Sequence, residues 1–313
     1  MCDLYNRRPR IVCSLTTIPT RLCGLEVTVS KIIRKMSNCD KFYLNIPYQT
    51  SRSQVPYIIP ENFLSSIEEC YREKIEINRC EDYGPITKLI PTLLKETNPT
   101  TIIITFDDDV RLKKDISDII IEKHRQYPSS CLSFSGFCVG TFPFLWQFAV
   151  SNKRDLECDW IQGVHCIAYP RGMIDVHDLL EWKTHIFKHD DHRINSFLAH
   201  KGIKRISMGH NPGDFFYQDM DLAKTDAISG STEFIIQNAK LCYTFKREKL
   251  YGHNHPSLWV TSIIGLVFLG FLLAVLVVYI NSFFVRKDWV FILIYAIILF
   301  TILYVILFNS MLV

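Results

Sequence analysis

Short runs of apolar residues alternate with longer amphipathic segments along the first 106 positions of the chain. An apolar run of about four to eight residues is typical of a buried strand, whereas apolar positions three and four apart are typical of a helix. The predicted strands cover residues 10–16, 41–47, 74–79 and 100–106. The predicted helices cover residues 23–38, 61–73 and 85–97, and Pro91 should kink or split the last of them. This alternation predicts the α/β class, with a mostly parallel sheet flanked by helices.

The last quarter of the chain has a different pattern, with two long runs that contain no charged residue. The first covers residues 257–285 and the second covers residues 289–313. Each exceeds the roughly 20 apolar residues that a helix needs to cross about 30 Å of hydrocarbon. A buried core helix is the alternative, but such helices are rarely so long and so free of charge. We therefore predict a soluble domain over residues 1–256, followed by two transmembrane helices joined by a short loop at 286–288.

Composition excludes two broad classes of protein. Of the 313 residues, 48% are hydrophobic and 21% are charged, which is not the composition of a disordered chain. A formal net charge of +3 excludes a strongly basic nucleic-acid binder as the default, so we expect no nucleic-acid partner. The mean hydropathy of +0.11 is high for a soluble protein, and the two uncharged runs account for it.

The flanking charges bear on the orientation in the membrane. The first ten residues are charged, and the apolar segment IVCSL after them is too short for a signal peptide. Lys246, Arg247 and Lys249 precede the first predicted span, as expected for a cytosolic flank. The two basic residues of the 286–288 loop argue weakly for the opposite orientation. We expect an integral membrane protein with its soluble domain in the cytosol.

Three adjacent carboxylates, Asp107, Asp108 and Asp109, follow the fourth predicted strand directly. Like charges this close are costly unless a cation neutralises them. In an extended segment Asp107 and Asp109 would project to one side and Asp108 to the other. Two oxygen ligands on one side suit Mg²⁺ or Mn²⁺, which bind through one or two carboxylates together with substrate phosphates. A solvated acidic turn is the alternative.

Polar residues also follow the first and third predicted strands, where a parallel sheet binds its ligands. Thr16 and Arg21 follow the first strand and could bind a nucleotide, although ordinary turn chemistry gives the same residues. Asp82 and Lys88 flank a Gly-Pro turn after the third strand. Lys88 lies in the first turn of a predicted helix, where a cation is unfavourable unless an anion is near. A helix cap with a surface lysine is the alternative.

Three segments, in this order and at this spacing, resemble the GT-A glycosyltransferases. They are SLTTIPTR at the end of the first predicted strand, DYGPITK after the third and FDDDV after the fourth. The chain is similar in particular to family-2-like members, which include glycosyltransferases of large DNA viruses. The resemblance covers roughly residues 9–210. It implies a GT-A fold, a nucleotide-diphospho-sugar donor and a divalent cofactor, Mn²⁺ or Mg²⁺.

The resemblance also implies roles on the donor side of the site. Asp107 and Asp109 would form the metal-side pair, with Asp109 the better candidate for a direct ligand. The residues expected to bind the donor are Thr16, Arg21, Asp82, Lys88, Asp107, Asp108 and Gly163. Some GT-A enzymes use a histidine near the C-terminus as an additional metal ligand, and His253 or His255 is the candidate here. Solvated residues next to the membrane are the alternative for both histidines.

A later acidic motif supplies the catalytic base in this family, and the corresponding segment here is KHDDHRINSFL at 188–198. Asp191 is the candidate that accepts the proton of the acceptor hydroxyl, and Asp190 is the alternative. A helix N-cap would explain the same pair, because acidic residues are favourable at a helix N-terminus. Gly163 would let the backbone approach a ligand closely. Trp160 would either stack on a sugar ring or belong to the core.

These features predict a membrane-anchored, metal-dependent glycosyltransferase. It would move a sugar from a nucleotide-diphospho-sugar to an acceptor hydroxyl or a lipid phosphate with inversion, and the acceptor would be a lipid, a glycan or a protein. The alternative is a membrane-anchored, non-catalytic module that binds nucleotide sugars or glycans. The haloacid-dehalogenase pattern D-x-D-x-T fails, because Arg111 occupies the place of the threonine. His185, His189 and His192 lack the glutamate of a zinc protease motif.

Overall fold

The computed structural model describes residues 8–51, 53–139, 147–149, 154–219, 232–251 and 270. Within them the strands are β1 (Ile11–Thr16), β2 (Lys41–Pro47), β3 (Ile75–Cys80), β4 (Ile102–Phe106), β5 (Val110–Leu112), β6 (Ser130–Ser133), β7 (Gly136–Val139), β8 (Gln147–Ala149), β9 (Leu156–Glu157), β10 (Trp160–Ile161), β11 (Cys166–Pro170), β12 (Lys204–Ser207) and β13 (Phe216–Gln218). The α-helices are α1 (Leu25–Ile33), α2 (Glu69–Arg72), α3 (Ile90–Lys95), α4 (Ser117–Gln126), α5 (Val176–Glu181), α6 (Asp190–His200) and α7 (Thr232–Arg247). Short 3₁₀ helices cover Pro19–Gly24, Gly84–Lys88, Arg171–Met173 and Pro212–Asp214.

The largest sheet in the described part of the chain has eight strands, in the order β3-β2-β1-β4-β11-β6-β12-β9. Strands β3, β2, β1 and β4 are parallel, and β11 runs antiparallel between β4 and β6. The register places Leu15 of β1 beside Leu44 of β2 and Phe106 of β4. The segments that follow β1 and β4 therefore leave the sheet side by side, at one edge.

Alternate residues of the central strands belong to two apolar cores, which lie on opposite faces of this sheet. Ile104 of β4 belongs to a core that includes residues of α1 and α4. Its neighbour Ile103 belongs to a second core, which includes residues of α3, α5 and α6. Ala168 and Ile167 of β11 divide between the two cores in the same way. Because successive side chains of a strand point to opposite faces, helices cover both sides of the sheet, as in the α/β class.

The four predicted strands correspond to β1–β4, and the predicted helix at 85–97 is split at Leu89, before Pro91. The prediction of a helix over residues 61–73 is wrong, because only Glu69–Arg72 are α-helical. Leu64 has a φ of 72°, which ends any right-handed helix at that position. The apolar spacing that suggested a helix instead serves a series of turns that bury Leu64 and Ile67 against the core.

The predicted transmembrane segments, 257–285 and 289–313, and the 286–288 loop lie outside the described residues, apart from Gly270. His253 and His255, the candidate additional metal ligands, also lie outside them. Among the residues that the structure describes, no helix combines the length and the apolar character needed to cross a membrane.

Candidate functional site

A cleft with a volume of about 640 Å³ opens where β1 and β4 end. The 3₁₀ helix after β3 and the first turn of α6 form two of its walls. The predicted site residues that line it are Thr16, Arg21, Asp82, Lys88, Asp107, Asp108, Asp109, Asp190 and Asp191. Gly163 lies between two lining residues, Gln162 and Val164. The structure thus brings together the acidic motif after β4 and the acidic motif that opens α6.

Lys88 joins the two acidic motifs. Its Nζ lies 2.7 Å from Asp107 Oδ1 and 2.9 Å from Asp190 Oδ2, and only 9% of the side chain is exposed. Burial alone would lower the pKa of this ammonium group, but the carboxylates of Asp107, Asp190 and Asp191 outweigh burial and raise it well above its usual value. The sequence predicted Lys88 as a donor-binding residue or a surface lysine, and in the structure its ammonium group lies between two carboxylates.

A buried polar network holds the Lys88 segment against the sheet. Ser14 Oγ donates to the Lys88 carbonyl oxygen at 2.5 Å and lies 2.6 Å from Thr92 Oγ1. Asn45 Nδ2 on β2 donates to both hydroxyl oxygens at 2.9 Å, and Asn78 on β3 donates to Asn45 Oδ1 at 2.8 Å. Buried polar groups that are fully bonded fix one geometry. These residues position Lys88, and the sequence analysis missed them because their pairing depends on strand register.

Asp108 points away from Lys88, towards β1. Its Oδ1 accepts from Arg21 Nη1 at 2.6 Å and its Oδ2 accepts from Thr17 Oγ1 at 2.6 Å. Thr28 of α1 donates to the Asp108 carbonyl oxygen at 2.9 Å. Burial raises the pKa of Asp108, and the Arg21 charge opposes the increase. Asp108 and Arg21 therefore tie the end of β4 to the segment after β1, on the other side from Asp107.

Asp107 and Asp109, the predicted metal-side pair, both line the cleft, and each carboxylate already contacts a protein group. Burial raises the pKa of Asp107 to about 6 against the effect of Lys88. Asp109 Oδ2 accepts from Gln218 Nε2 of β13 at 3.0 Å, and the residue is 8% exposed. No group of three or more His, Cys, Asp or Glu among the described residues is arranged to hold a metal by itself. Two carboxylates suffice for Mg²⁺ or Mn²⁺ when diphosphate oxygens and water complete the shell.

Asp191 is held by a backbone amide. Its Oδ1 accepts from the N–H of Gly163 at 2.9 Å. Burial, and then the negative charge of Asp190, raise the pKa of Asp191 to about 8. A Cβ on residue 163 would lie 2.9 Å from Asp191 Oδ1 and 3.3 Å from Lys88 Nζ. A glycine is therefore needed at position 163 because another group lies against its backbone. In this structure that group is the Asp191 carboxylate and not a ligand.

Asp82 and Thr16 line the cleft but already have protein partners. Asp82 Oδ1 accepts from the N–H of Gly84 at 2.7 Å, and its Oδ2 accepts from the N–H of Ser51 at 2.7 Å. Thr16 Oγ1 donates to the Asn45 carbonyl oxygen at 2.8 Å. The carboxylate of Asp82 thus shapes the turn that starts the 84–88 helix, as a cap does.

Helix α7 supplies a cleft wall that the sequence analysis did not identify. Asn238 lines the cleft, and its Oδ1 contacts Nε2 of His192, the residue after Asp191. His192 Nδ1 lies 3.1 Å from the hydroxyl of Tyr251, and burial lowers the pKa of His192 to about 4. Trp160 is 5% exposed and stacks on Phe137 with ring centroids 4.7 Å apart, yet it also lines the cleft.

No protein-family model and no curated protein matches this chain. Among solved structures, it is similar to the crystal structure of GalNAc-T7 with UDP, GalNAc and Mn²⁺. The match has 8% sequence identity and a TM-score of 0.51, and it covers 74% of this chain. It spans about half, 48%, of the GalNAc-T7 chain. At this identity the likeness shows the fold, which is that of a GT-A-like α/β domain with a large, mostly parallel sheet.

Proposed function

We propose that this chain is a metal-dependent glycosyltransferase that uses a nucleotide-diphospho-sugar. The observation that carries the proposal is the convergence of six carboxylates and three cationic side chains in one cleft of a GT-A-like fold. The lining carboxylates are Asp82, Asp107, Asp108, Asp109, Asp190 and Asp191, and the cations are Arg21, Lys88 and Lys188. This set is far larger than a stable turn or a helix cap needs.

The two acidic motifs take different roles in the proposal. Asp107 and Asp109 would hold Mn²⁺ or Mg²⁺ on the donor diphosphate, and the ion would supply charge neutralisation for the leaving group. Asp191 accepts the proton of the acceptor hydroxyl, and the hydroxyl oxygen forms the new bond to the anomeric carbon. The bond from that carbon to the diphosphate breaks, and the nucleoside diphosphate leaves. Attack from the face opposite the leaving group inverts the anomeric centre.

Thermal unfolding of the full chain in detergent tests donor binding. A ligand that binds the native state raises the melting temperature, so one nucleotide sugar should do so in the presence of Mn²⁺. The Asp109→Ala variant should lose the Mn²⁺-dependent part of this shift, whereas Asp191→Ala should keep it and lose transfer. An Asp109→Ala protein that responds like the wild type would contradict the metal assignment. A wild-type protein that binds the donor without any transfer would favour the non-catalytic module.

A second substitution at Asp191 distinguishes the two classes of acceptor. An acceptor hydroxyl needs a base, so Asp191→Asn should reduce transfer by about 10²–10⁴-fold. A phosphate oxygen is already ionised at neutral pH and needs none. The Asp191→Asn variant should therefore keep transfer to a lipid phosphate and lose transfer to a sugar or protein hydroxyl, and transfer to a hydroxyl that survives the substitution would make the assignment of Asp191 as the base wrong.

We also propose that the uncharged runs at 257–285 and 289–313 anchor the chain as a hairpin with the soluble domain in the cytosol. Their length and lack of charge support this. Membrane vesicles of known orientation test it, because protease added to the cytosolic side should remove the soluble domain. Protection of the domain on that side would reverse the orientation.

A further inference from the structure

The outward face of α7 carries a stripe of two large apolar and two cationic side chains. At about 100° per residue, Ile236, Lys240, Tyr243 and Arg247 fall within one narrow arc of the helix. The buried Phe245 points from the opposite side into the protein. Ile236 is 50% exposed and Tyr243 is 54% exposed, so this α7 stripe faces solvent along its length.

The α7 stripe carries two cations, and one acid, Glu233, lies on the same face in the first turn of the helix, where it accepts from Gln237 Nε2 at 3.3 Å. The salt bridges formed among the described residues do not include Lys240 or Arg247, and the Arg247 guanidinium lies 5.9 Å from the centroid of the Tyr243 ring. The nearby acid Glu248 is paired with Lys183, at 2.8 Å. The stripe therefore offers two cations, a tyrosine and an isoleucine to a partner that is negatively charged at its surface and apolar beneath it.

The chain beyond α7 restricts where such a partner can lie. The first uncharged run starts at Ser257, ten residues after the helix ends at Arg247. A segment of this length spans at most about 36 Å even when fully extended. If the run crosses a bilayer, as the proposed function requires, the Arg247 end of the α7 stripe can lie no farther than this from the membrane surface.

We propose that the α7 stripe lies on the anionic surface of the membrane in which the chain is anchored. Lysine and arginine are attracted to anionic headgroups, and tyrosine prefers the interface between headgroups and hydrocarbon. Ile236 would enter the boundary region, as the apolar residues of interfacial helices do. Asn238, which faces the cleft, would then be about one helix diameter, roughly 10 Å, from the headgroups. The cleft would be within reach of an acceptor that remains in the membrane.

Photocrosslinking of the full chain in lipid nanodiscs tests this proposal. Benzoylphenylalanine would replace Tyr243 in one variant and Thr244 in a matched control, which is also exposed on α7 but about 100° around the helix. In discs that contain phosphatidylserine, irradiation should give lipid adducts at position 243 and several-fold fewer at position 244. Adding Lys240→Glu and Arg247→Glu should reduce the adducts at 243 by at least about fivefold.

The remaining outcomes would overturn the proposal, each in a distinct way. Equal yields of lipid adducts at positions 243 and 244 would mean that α7 is near the membrane but does not lie on it through the α7 stripe. Adducts to a second copy of the chain would make the stripe a protein interface. A chain that does not enter the discs would remove the anchor on which the inference depends. Because the readout is a lipid adduct, it does not depend on glycosyltransferase activity, and failure of that activity would leave the result unchanged.

Discussion

The positive charge of Lys88 lets the two acidic motifs lie close together in the folded protein. Two carboxylates share its ammonium group, and it is nearly buried. Removing one partner of a buried ion pair costs about 3–5 kcal/mol, because the other charge stays buried without compensation. We expect Lys88→Met to lose stability of this order at pH 8, measured by urea unfolding. The loss should shrink at pH 5, where Asp107, with a pKa of about 6, becomes protonated.

Lys95→Met is the matched control for this experiment. Lys95 also pairs with a carboxylate, that of Glu76, but its side chain is 41% exposed. An exposed pair contributes about 0–1 kcal/mol, so this variant should change little at either pH. A Lys88→Met deficit that stays constant between pH 5 and pH 8 would mean that Lys88 acts by packing and not by charge.

We expect the ionised carboxylate of Asp191 to lower the stability of the folded protein. Its pKa is raised from 3.8 to about 8, so the folded state favours the protonated carboxyl and loses stability progressively as pH rises from about 4 to about 8. Asparagine can still accept the Gly163 N–H bond but cannot ionise. We expect Asp191→Asn to melt a few degrees higher than the wild type at pH 9, a gain of about 1–2 kcal/mol, with little difference at pH 5.

The same pKa has a kinetic consequence. The base must be ionised, so kcat/KM for a hydroxyl acceptor should rise with pH, reach half its maximum near pH 8 and level off above it. The apparent value belongs to the coupled group of Asp190, Asp191 and Lys88 rather than to one residue. A rate profile that is flat from pH 5 to pH 9, or a melting difference independent of pH, would count against Asp191 as the base.

The sequence predicted which residues line the candidate cleft better than it predicted their partners. Asp107, Asp109 and Asp191 could be picked out because each lies next to a recognisable strand or helix start. The bond between Lys88 and Asp190 could not, because the two residues are more than a hundred positions apart and meet only through sheet topology. Long-range pairing of this kind leaves no local pattern in a single sequence.

At the scale of elements, the 3₁₀ helix at Gly84–Lys88 delivers Lys88 to the cleft and depends on its first residue. Gly84 has a φ of 73°, and a Cβ there would lie 2.8 Å from the Phe187 carbonyl oxygen. Both strain and contact oppose any side chain, so we expect Gly84→Ala to lose about 1–3 kcal/mol. Donor-dependent stabilisation should weaken as well, because the helix that carries Lys88 must shift. Thermal unfolding with and without donor measures both effects.

Substitutions at two other glycines separate the effect of backbone strain from the effect of the contact with Phe187. Gly202 also has a positive φ, 68°, but a Cβ there meets nothing within 4 Å, so Gly202→Ala should show the backbone strain alone. Gly24 has an ordinary φ of −95° and open space, so Gly24→Ala should be close to neutral. If Gly84→Ala costs no more than Gly202→Ala, the contact with Phe187 is unimportant.

The elements themselves were predictable where periodicity and length agreed. Strands β1–β4 are short apolar runs with no competing interpretation, and the sequence located all four. Residues 61–73 had helical spacing, but they form turns that bury Leu64 through a left-handed backbone. The paired strands β5 and β13 were not predicted, because each has three residues and gains its stability from a partner far along the chain.

At the scale of the whole molecule, α7 is attached by a small core of its own. Trp160, Ile186, Cys242, Phe245 and Tyr251 form an apolar cluster separate from the two cores that flank the sheet. Elements with few buried contacts open at lower free energy than the global core. Because Asn238 and the His192–Tyr251 contact belong to the same region, opening of α7 should change one wall of the cleft without unfolding the sheet.

Phe245→Ala tests this separation. Phe245 is 1% exposed, and truncating a buried phenylalanine costs about 3–5 kcal/mol, so the small core that attaches α7 should open more often in this variant. We expect trypsin to cut the native variant at Lys240, while the main melting transition and the donor-induced shift remain. Transfer should fall, since Asn238 leaves the cleft. Leu44→Ala, in the core under β2, should instead lower the main transition. If Phe245→Ala lowers the main transition equally, α7 and the sheet unfold as one unit.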